Sequence, residues 1–216
     1  SYLIKNNKLP KKSNYNGIYH VGESHCLSYA CSRVSIDGRL HVIAPRITFG
    51  AKAHHFSNNT ENQFKSITRL NLNKIPKQSI VFISVGEIDC RADEGIILAS
   101  EKTGKPVTEI IDETIKGYVM WFLNENANNK HKFYFFNVPA PTYDPKRSSE
   151  LNKKVAEVVA LFNDSLFKNL SISQHKIIDV YDHTKNINGF SNSLYHCDGV
   201  HLDIRIMPLI QDQLNA

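Results

Sequence analysis

Short apolar runs bounded by turn residues recur along the chain, and longer amphipathic stretches separate them. The runs are "GIYHV" (17–21), "LHVIA" (40–44), "SIVFISV" (79–85), "KFYFFNV" (132–138) and "KIIDV" (176–180). They are too short for helices and rich in β-branched and aromatic residues, and they are apolar nearly throughout. That pattern predicts parallel strands covered on both faces. Between them, residues 106–127 place Ile110, Ile111, Ile115, Val119 and Phe122 at helical spacing, with Thr108 as the expected N-cap. Residues 148–170 repeat the pattern with Leu151, Val155, Val158, Val159, Phe162 and Leu166. Alternating strands and helices predict an α/β doubly wound parallel sheet, in which ligands bind beyond the carboxyl ends of the strands.

The chain has 216 residues, enough for one sizeable core, and the expectation is a single domain over 1–216 with residues 1–16 as an irregular N-terminal extension. Hydrophobic residues at 41% and charged residues at 22% exclude a disordered chain. The net charge of +5 is mild, and apart from "KLPKK" (8–12) and "KTGK" (102–105) the lysines are scattered. No basic stripe carries interleaved aromatics, so nucleic acid is not an expected partner. Cys26, Cys31, Cys90 and Cys197 lack paired C-x-x-C spacing, which argues against a zinc ribbon or a thioredoxin-type motif and for free thiols in a reducing, cytoplasmic setting. No signal peptide and no membrane span is expected. The first residue is Ser1 rather than methionine, which is compatible with a leader or a neighbouring domain upstream.

In a doubly wound sheet the segments just after the strands are the place for a site. "GESH" comes after the first strand, "GEIDCR" after the third and "NVPAPTYDP" after the fourth, and "YHCDGVHLD" precedes the last helix. A serine hydrolase needs a hydroxyl, a histidine to activate it, a carboxylate to orient that histidine and N–H donors for the oxyanion. Asp198 and His201 are three residues apart in one short loop, and Ser24 is the matching hydroxyl at a helix start. The competing reading makes Ser24 an ordinary N-cap and the Asp198–His201 pair a turn before the last helix.

"GESH", "GEID" and "DGVHLD" resemble, in this order, the first, third and fifth blocks of the SGNH (GDSL-type) hydrolases, with glutamate where the family usually has aspartate. The resemblance runs from about residue 17 to the C-terminus. It implies a three-layer α/β/α sandwich of flavodoxin-like type with a five-stranded parallel sheet. It makes Ser24 the nucleophile, His201 the base and Asp198 its orienting acid, with no metal cofactor. The Ser24 N–H and the Gly50 N–H are the implied oxyanion donors. The third block departs from the family: Gly-x-Asn-Asp is replaced by Gly86, Glu87, Ile88 and Asp89, so the asparagine amide is missing. Arg91 and Asn137 are the nearby candidates to replace it. "GEIDCR" also looks like a variant found in SGNH-like proteins of bacterial surface-polysaccharide systems, which points to an acylated, O-acetylated sugar rather than a lipid. The lack of a long apolar loop agrees.

Were the strand to continue through "GEIDCR", Glu87, Asp89 and Arg91 would share a face as substrate-binding residues. His25 is a candidate substrate contact. Adjacent His54 and His55 suit no metal spacing and are expected in solvent or a ligand loop. Cys26 and Cys90 are expected to be buried thiols, and Trp121, Phe133, Phe135 and Phe136 core. Three functions are compatible with these residues: a serine esterase or O-acyltransferase acting on a small-molecule or glycan ester; a weakened relative that binds a glycan or anionic ligand with Arg91 as clamp; and an assembly module with no ordered serine–histidine pair.

Overall fold

The computed structural model describes residues 15–128, 130–171 and 175–215; "KLPKK" and most of the expected N-terminal extension lie outside them. Six strands form one sheet: β1 (Ile18–Gly22), β2 (Arg33–Ile36), β3 (Arg39–Ile47), β4 (Ser79–Ser84), β5 (His131–Phe136) and β6 (Lys176–Ile178). Their order is β2-β3-β1-β4-β5-β6. β3, β1, β4, β5 and β6 are the five expected strands, all mutually parallel. Their order is that of the flavodoxin-like doubly wound sheet. The sixth, β2, pairs antiparallel with β3 at the edge and was not expected. The two are joined by an Asp37–Gly38 turn with both residues at positive φ, the geometry that suits a tight hairpin.

Among the described residues seven α-helices accompany the sheet: α1 (Ala53–Ser57), α2 (Gln63–Asn73), α3 (Ile96–Thr103), α4 (Val107–Glu125), α5 (Ser149–Leu170), α6 (Tyr181–Thr184) and α7 (Met207–Asn215). The period-2 alternation of the strands divides the core in two. Val21, Val81, Ile83, Phe133 and Phe135 face one way and meet Phe56, Leu72, Ile115, Phe122 and Phe162 from α1, α2, α4 and α5. Ile18, Ile43, Ile80, Phe82 and Phe136 face the other way and meet Tyr29, Ile206 and Ile210. The sheet is thus covered on both faces, which is why its central strands read as unbroken apolar runs.

α5 is capped as its sequence suggests, by the Ser148 hydroxyl accepting from the Leu151 N–H. α4 is not: its N-cap is Pro106, and Thr108 lies inside the first turn, because proline with its fixed φ already supplies the turn into the helix. Trp121 is half-buried rather than core, packed on Phe56 with the Arg69 guanidinium over its ring. No helix among the described residues is long and apolar enough to cross a membrane.

Candidate functional site

β1 and β4 are neighbours whose connections leave on opposite sides of the sheet, so their carboxyl ends frame the crevice of the topological switch point. The strands approach closely there: a Cβ on Gly22 would lie 2.2 Å from the Ser84 carbonyl, so only glycine ends β1 at this place. The chain then turns through Glu23 into a single 3-10 turn, Ser24–Leu27. The Glu23 carboxylate accepts the His25 N–H at 3.1 Å, and its carbonyl accepts the Cys26 N–H at 3.0 Å. Glu23, not Ser24, is therefore the N-cap.

The loop 197–201 arrives from the far end of the chain. Asp198 Oδ1 accepts the N–H groups of Val200 (2.7 Å) and His201 (2.6 Å), and Asp198 Oδ2 lies 2.8 Å from His201 Nδ1. His201 Nε2 lies 2.9 Å from Ser24 Oγ. The three side chains thus form one hydrogen-bonded chain, within the reach a general base needs. Burial disfavours the Asp198 charge, but the His201 amide and ring and the Val200 amide outweigh it and hold the carboxyl down at about 2. Asp198 is thus ionised at neutral pH and fixes Nδ1–H as the donor, leaving Nε2 to face the hydroxyl.

Glu23, which the sequence reading did not single out, is also part of this cluster. Its Oε2 accepts the Ser24 hydroxyl at 2.9 Å, so one hydroxyl proton faces two acceptors, Glu23 and His201. Its Oε1 lies 2.8 Å from His25 Nδ1. Burial opposes the Glu23 charge, yet His25 keeps the carboxyl below the usual range. For His25 burial likewise opposes the charge, and Glu23 prevails to raise the imidazole above the ordinary histidine range. The sequence signal was glutamate in the family's aspartate position.

The remaining candidates divide. Gly50 follows β3, whose end Ile47 is in register with Gly22, and the Thr48 N–H bonds the Gly22 carbonyl at 2.7 Å; the Gly50 turn therefore lies beside the end of β1. Glu87, Asp89 and Arg91 do not share a strand face. β4 stops at Ser84, Gly86 turns the chain at φ 136° and Ile88–Cys90 is a 3-10 turn. Asp89 points inward and accepts the Ala53 (2.6 Å) and His54 (3.0 Å) N–H groups at the start of α1, and burial pushes its carboxyl up to about 6. Arg91 binds Glu87 through Nε and Nη2 and Glu94 through Nη1. Asn137 donates to Asp179 at 2.8 Å and accepts from the Val180 (2.8 Å) and Tyr181 (3.1 Å) N–H groups, which joins β5 to the end of β6. Neither Arg91 nor Asn137 is hydrogen-bonded to the Ser24 cluster. Ile88 is buried.

His55 stacks on Phe64 and accepts the Lys52 N–H at 3.0 Å, while His54 is exposed. Cys26 and Cys90 are buried, and burial pushes the Cys26 thiol up to about 12, far from a thiolate nucleophile. No three histidine, cysteine or acidic side chains among the described residues are grouped to hold a metal. Beside the 197–201 loop opens a cavity of about 380 Å³ lined by Glu87, Arg91, Thr142, Tyr143, Asp144 and Val200, among others.

No family profile matches the sequence, and no curated protein is similar enough to count as a relative. Solved structures do match. A GDSL-like lipase from Bacteroides thetaiotaomicron VPI-5482 superposes with a TM-score of 0.58 at 16% identity, over 92% of this chain and 85% of that one. Phospholipase A1 from Streptomyces albidoflavus NA297 does so with a TM-score of 0.55 at 11% identity, over 91% and 98%. In strand order and in the extent of these superpositions, the chain carries the fold of the GDSL-type, or SGNH, hydrolases.

Proposed function

We propose that the protein is a serine esterase or O-acyltransferase acting on an acylated carbohydrate. The observation that carries the reading is the unbroken chain from Ser24 Oγ through His201 to Asp198, at 2.9 and 2.8 Å. Ser24 attacks the acyl carbonyl while His201 takes its proton. Asp198 stabilises the imidazolium, and His201 returns the proton to the leaving alkoxide. Water or a second sugar hydroxyl then releases the acyl group; both outcomes use the same residues. The Ser24 and Gly50 N–H groups receive the oxyanion. A sugar fits the mixed lining of the adjoining cavity, where Thr142, Tyr143, Asp144 and Arg147 supply hydrogen-bonding groups around an open cleft.

The test is hydrolysis of 4-nitrophenyl acetate and of an O-acetylated oligosaccharide by the parent, Ser24→Ala and His201→Ala. Each substitution lowers kcat by at least about 10⁴-fold. Equal rates in all three would refute the reading. Ile88 favours a second reading, in which the site binds an acylated glycan without cleaving it; removal of one oxyanion donor lowers kcat by about 10²–10³. That reading requires measurable glycan affinity in the parent, retained in Ser24→Ala, with no turnover in either.

A further inference from the structure

His25 is 4% exposed, and each of its ring nitrogens faces a group that can only accept. Nδ1 lies 2.8 Å from the Glu23 carboxylate, an ion-pair contact off the hydrogen-bond direction, and Nε2 is hydrogen-bonded to the Val200 carbonyl at 3.2 Å. A neutral imidazole has one N–H: on Nε2 it leaves a ring lone pair 2.8 Å from the carboxylate, and on Nδ1 it leaves the Val200 carbonyl without a donor; an imidazolium avoids both, and Glu23 balances its charge. The peptide that Nε2 holds joins Val200 to His201. Its carbonyl is held by His25, and its N–H, which belongs to His201, is held by Asp198 at 2.6 Å. The His25 ring also packs on the His201 ring, with centroids 4.9 Å apart. Among the described residues, this one peptide is therefore pinned at both ends by two acid–histidine pairs, Glu23–His25 and Asp198–His201.

We propose that the Glu23–His25 pair is a proton-operated clasp on the loop that carries His201, with His25 a positioning residue that holds the base against Ser24 only while both of its ring nitrogens are protonated. The proposal rests on the hydrolase reading for its effect on rate. When His25 loses a proton, the one that remains stays on Nδ1, because a ring lone pair turned at a carboxylate is repelled. Val200 then loses its donor and His201 its orientation. The other titratable groups acting on His25 are Glu87 from the loop after β4, with Arg91 paired to it, His20 from β1, and His196 and His201 from the C-terminal loop. Only Glu23 and Glu87 favour its charge, and of these Glu23 is in contact.

Glu23 at 2.8 Å raises the His25 imidazole against the burial that lowers it, so the clasp opens on the alkaline side of the ordinary histidine value. The experiment measures kcat and KM against pH for the parent, His25→Ala, His25→Gln and Glu23→Gln, together with the ring ¹⁵N shifts of His25 in the labelled parent. The parent shows an alkaline fall in kcat at nearly constant KM. His25→Ala lowers kcat by roughly 10- to 100-fold, the scale of a misplaced catalytic group. His25→Gln, whose amide can still donate to Val200, recovers part of that rate and has no alkaline fall. Glu23→Gln, whatever its absolute rate, also loses the alkaline fall, because its amide donates to Nδ1 and leaves Nε2–H for Val200.

Two protonated ring nitrogens at pH 7 support the clasp even if the parent shows no Ser24-dependent turnover, an outcome that removes the hydrolase reading alone. One protonated nitrogen at pH 7, or an alkaline fall unchanged in Glu23→Gln, overturns the clasp.

Discussion

At Ile88 a side chain that donates nothing stands where the resemblance calls for an amide. Ile88 is buried in the 3-10 turn that follows β4, and its side chain is apolar. If the Ser24 cluster turns over esters, Ile88→Asn adds an oxyanion donor and raises kcat about tenfold or more, part of the 10²–10³ that such a donor contributes. Steady-state kinetics on 4-nitrophenyl acetate measures this; an unchanged or lower kcat in a folded variant would show that Ile88 faces away from the reacting oxygen. Ser24, His201 and Asp198 were singled out in the sequence because a serine just after the first strand and a D-x-x-H loop near the C-terminus are the residue types a serine hydrolase needs. The partners of Asn137 were not. Its amide is taken by Asp179, 42 residues away, a pairing that only β5–β6 adjacency creates. Glu23 was hidden for another reason: its proximity to both Ser24 and His25 depends on the 3-10 turn, and nothing in "GESH" specifies that turn.

Among the elements, those buried on both faces announced themselves. β4 is buried at every position and was read almost to the residue. β2 has an exposed first residue and a half-buried third, so it offered no apolar run; only the Asp-Gly pair after it signals a hairpin. The junction after β4 is where the strand expectation failed. Gly86, at φ 136°, ends the extended chain, and a Cβ there would lie 2.5 Å from the Phe162 ring of α5. That contact couples the helix to the turn that carries Glu87 and Ile88. Gly86→Ala combines backbone strain with overpacking and destabilises the fold by roughly 2–5 kcal/mol. Urea unfolding measures it as a lower midpoint at unchanged slope. An unaltered midpoint would mean that the turn does not need glycine.

At the scale of the whole molecule, residues from the two ends of the chain meet at one crevice. Ser24 and His201 are separated by 177 positions, and β1 next to β4, with the C-terminal loop crossing the strand ends, brings them within hydrogen-bond distance. The doubly wound sheet was readable from alternating strands and helices, and the pairing of Ser24 with the Asp198–His201 loop was expected from residue types and from the resemblance, although nothing local specifies the contact. The activation proposed for Ser24 therefore depends on the folded chain. The most direct measurement is intact mass and peptide mapping after reaction with a fluorophosphonate. One adduct is predicted, on Ser24, formed by the folded parent and lost in His201→Ala and in urea. No adduct on the folded parent, or one that persists in His201→Ala, would contradict an activated Ser24.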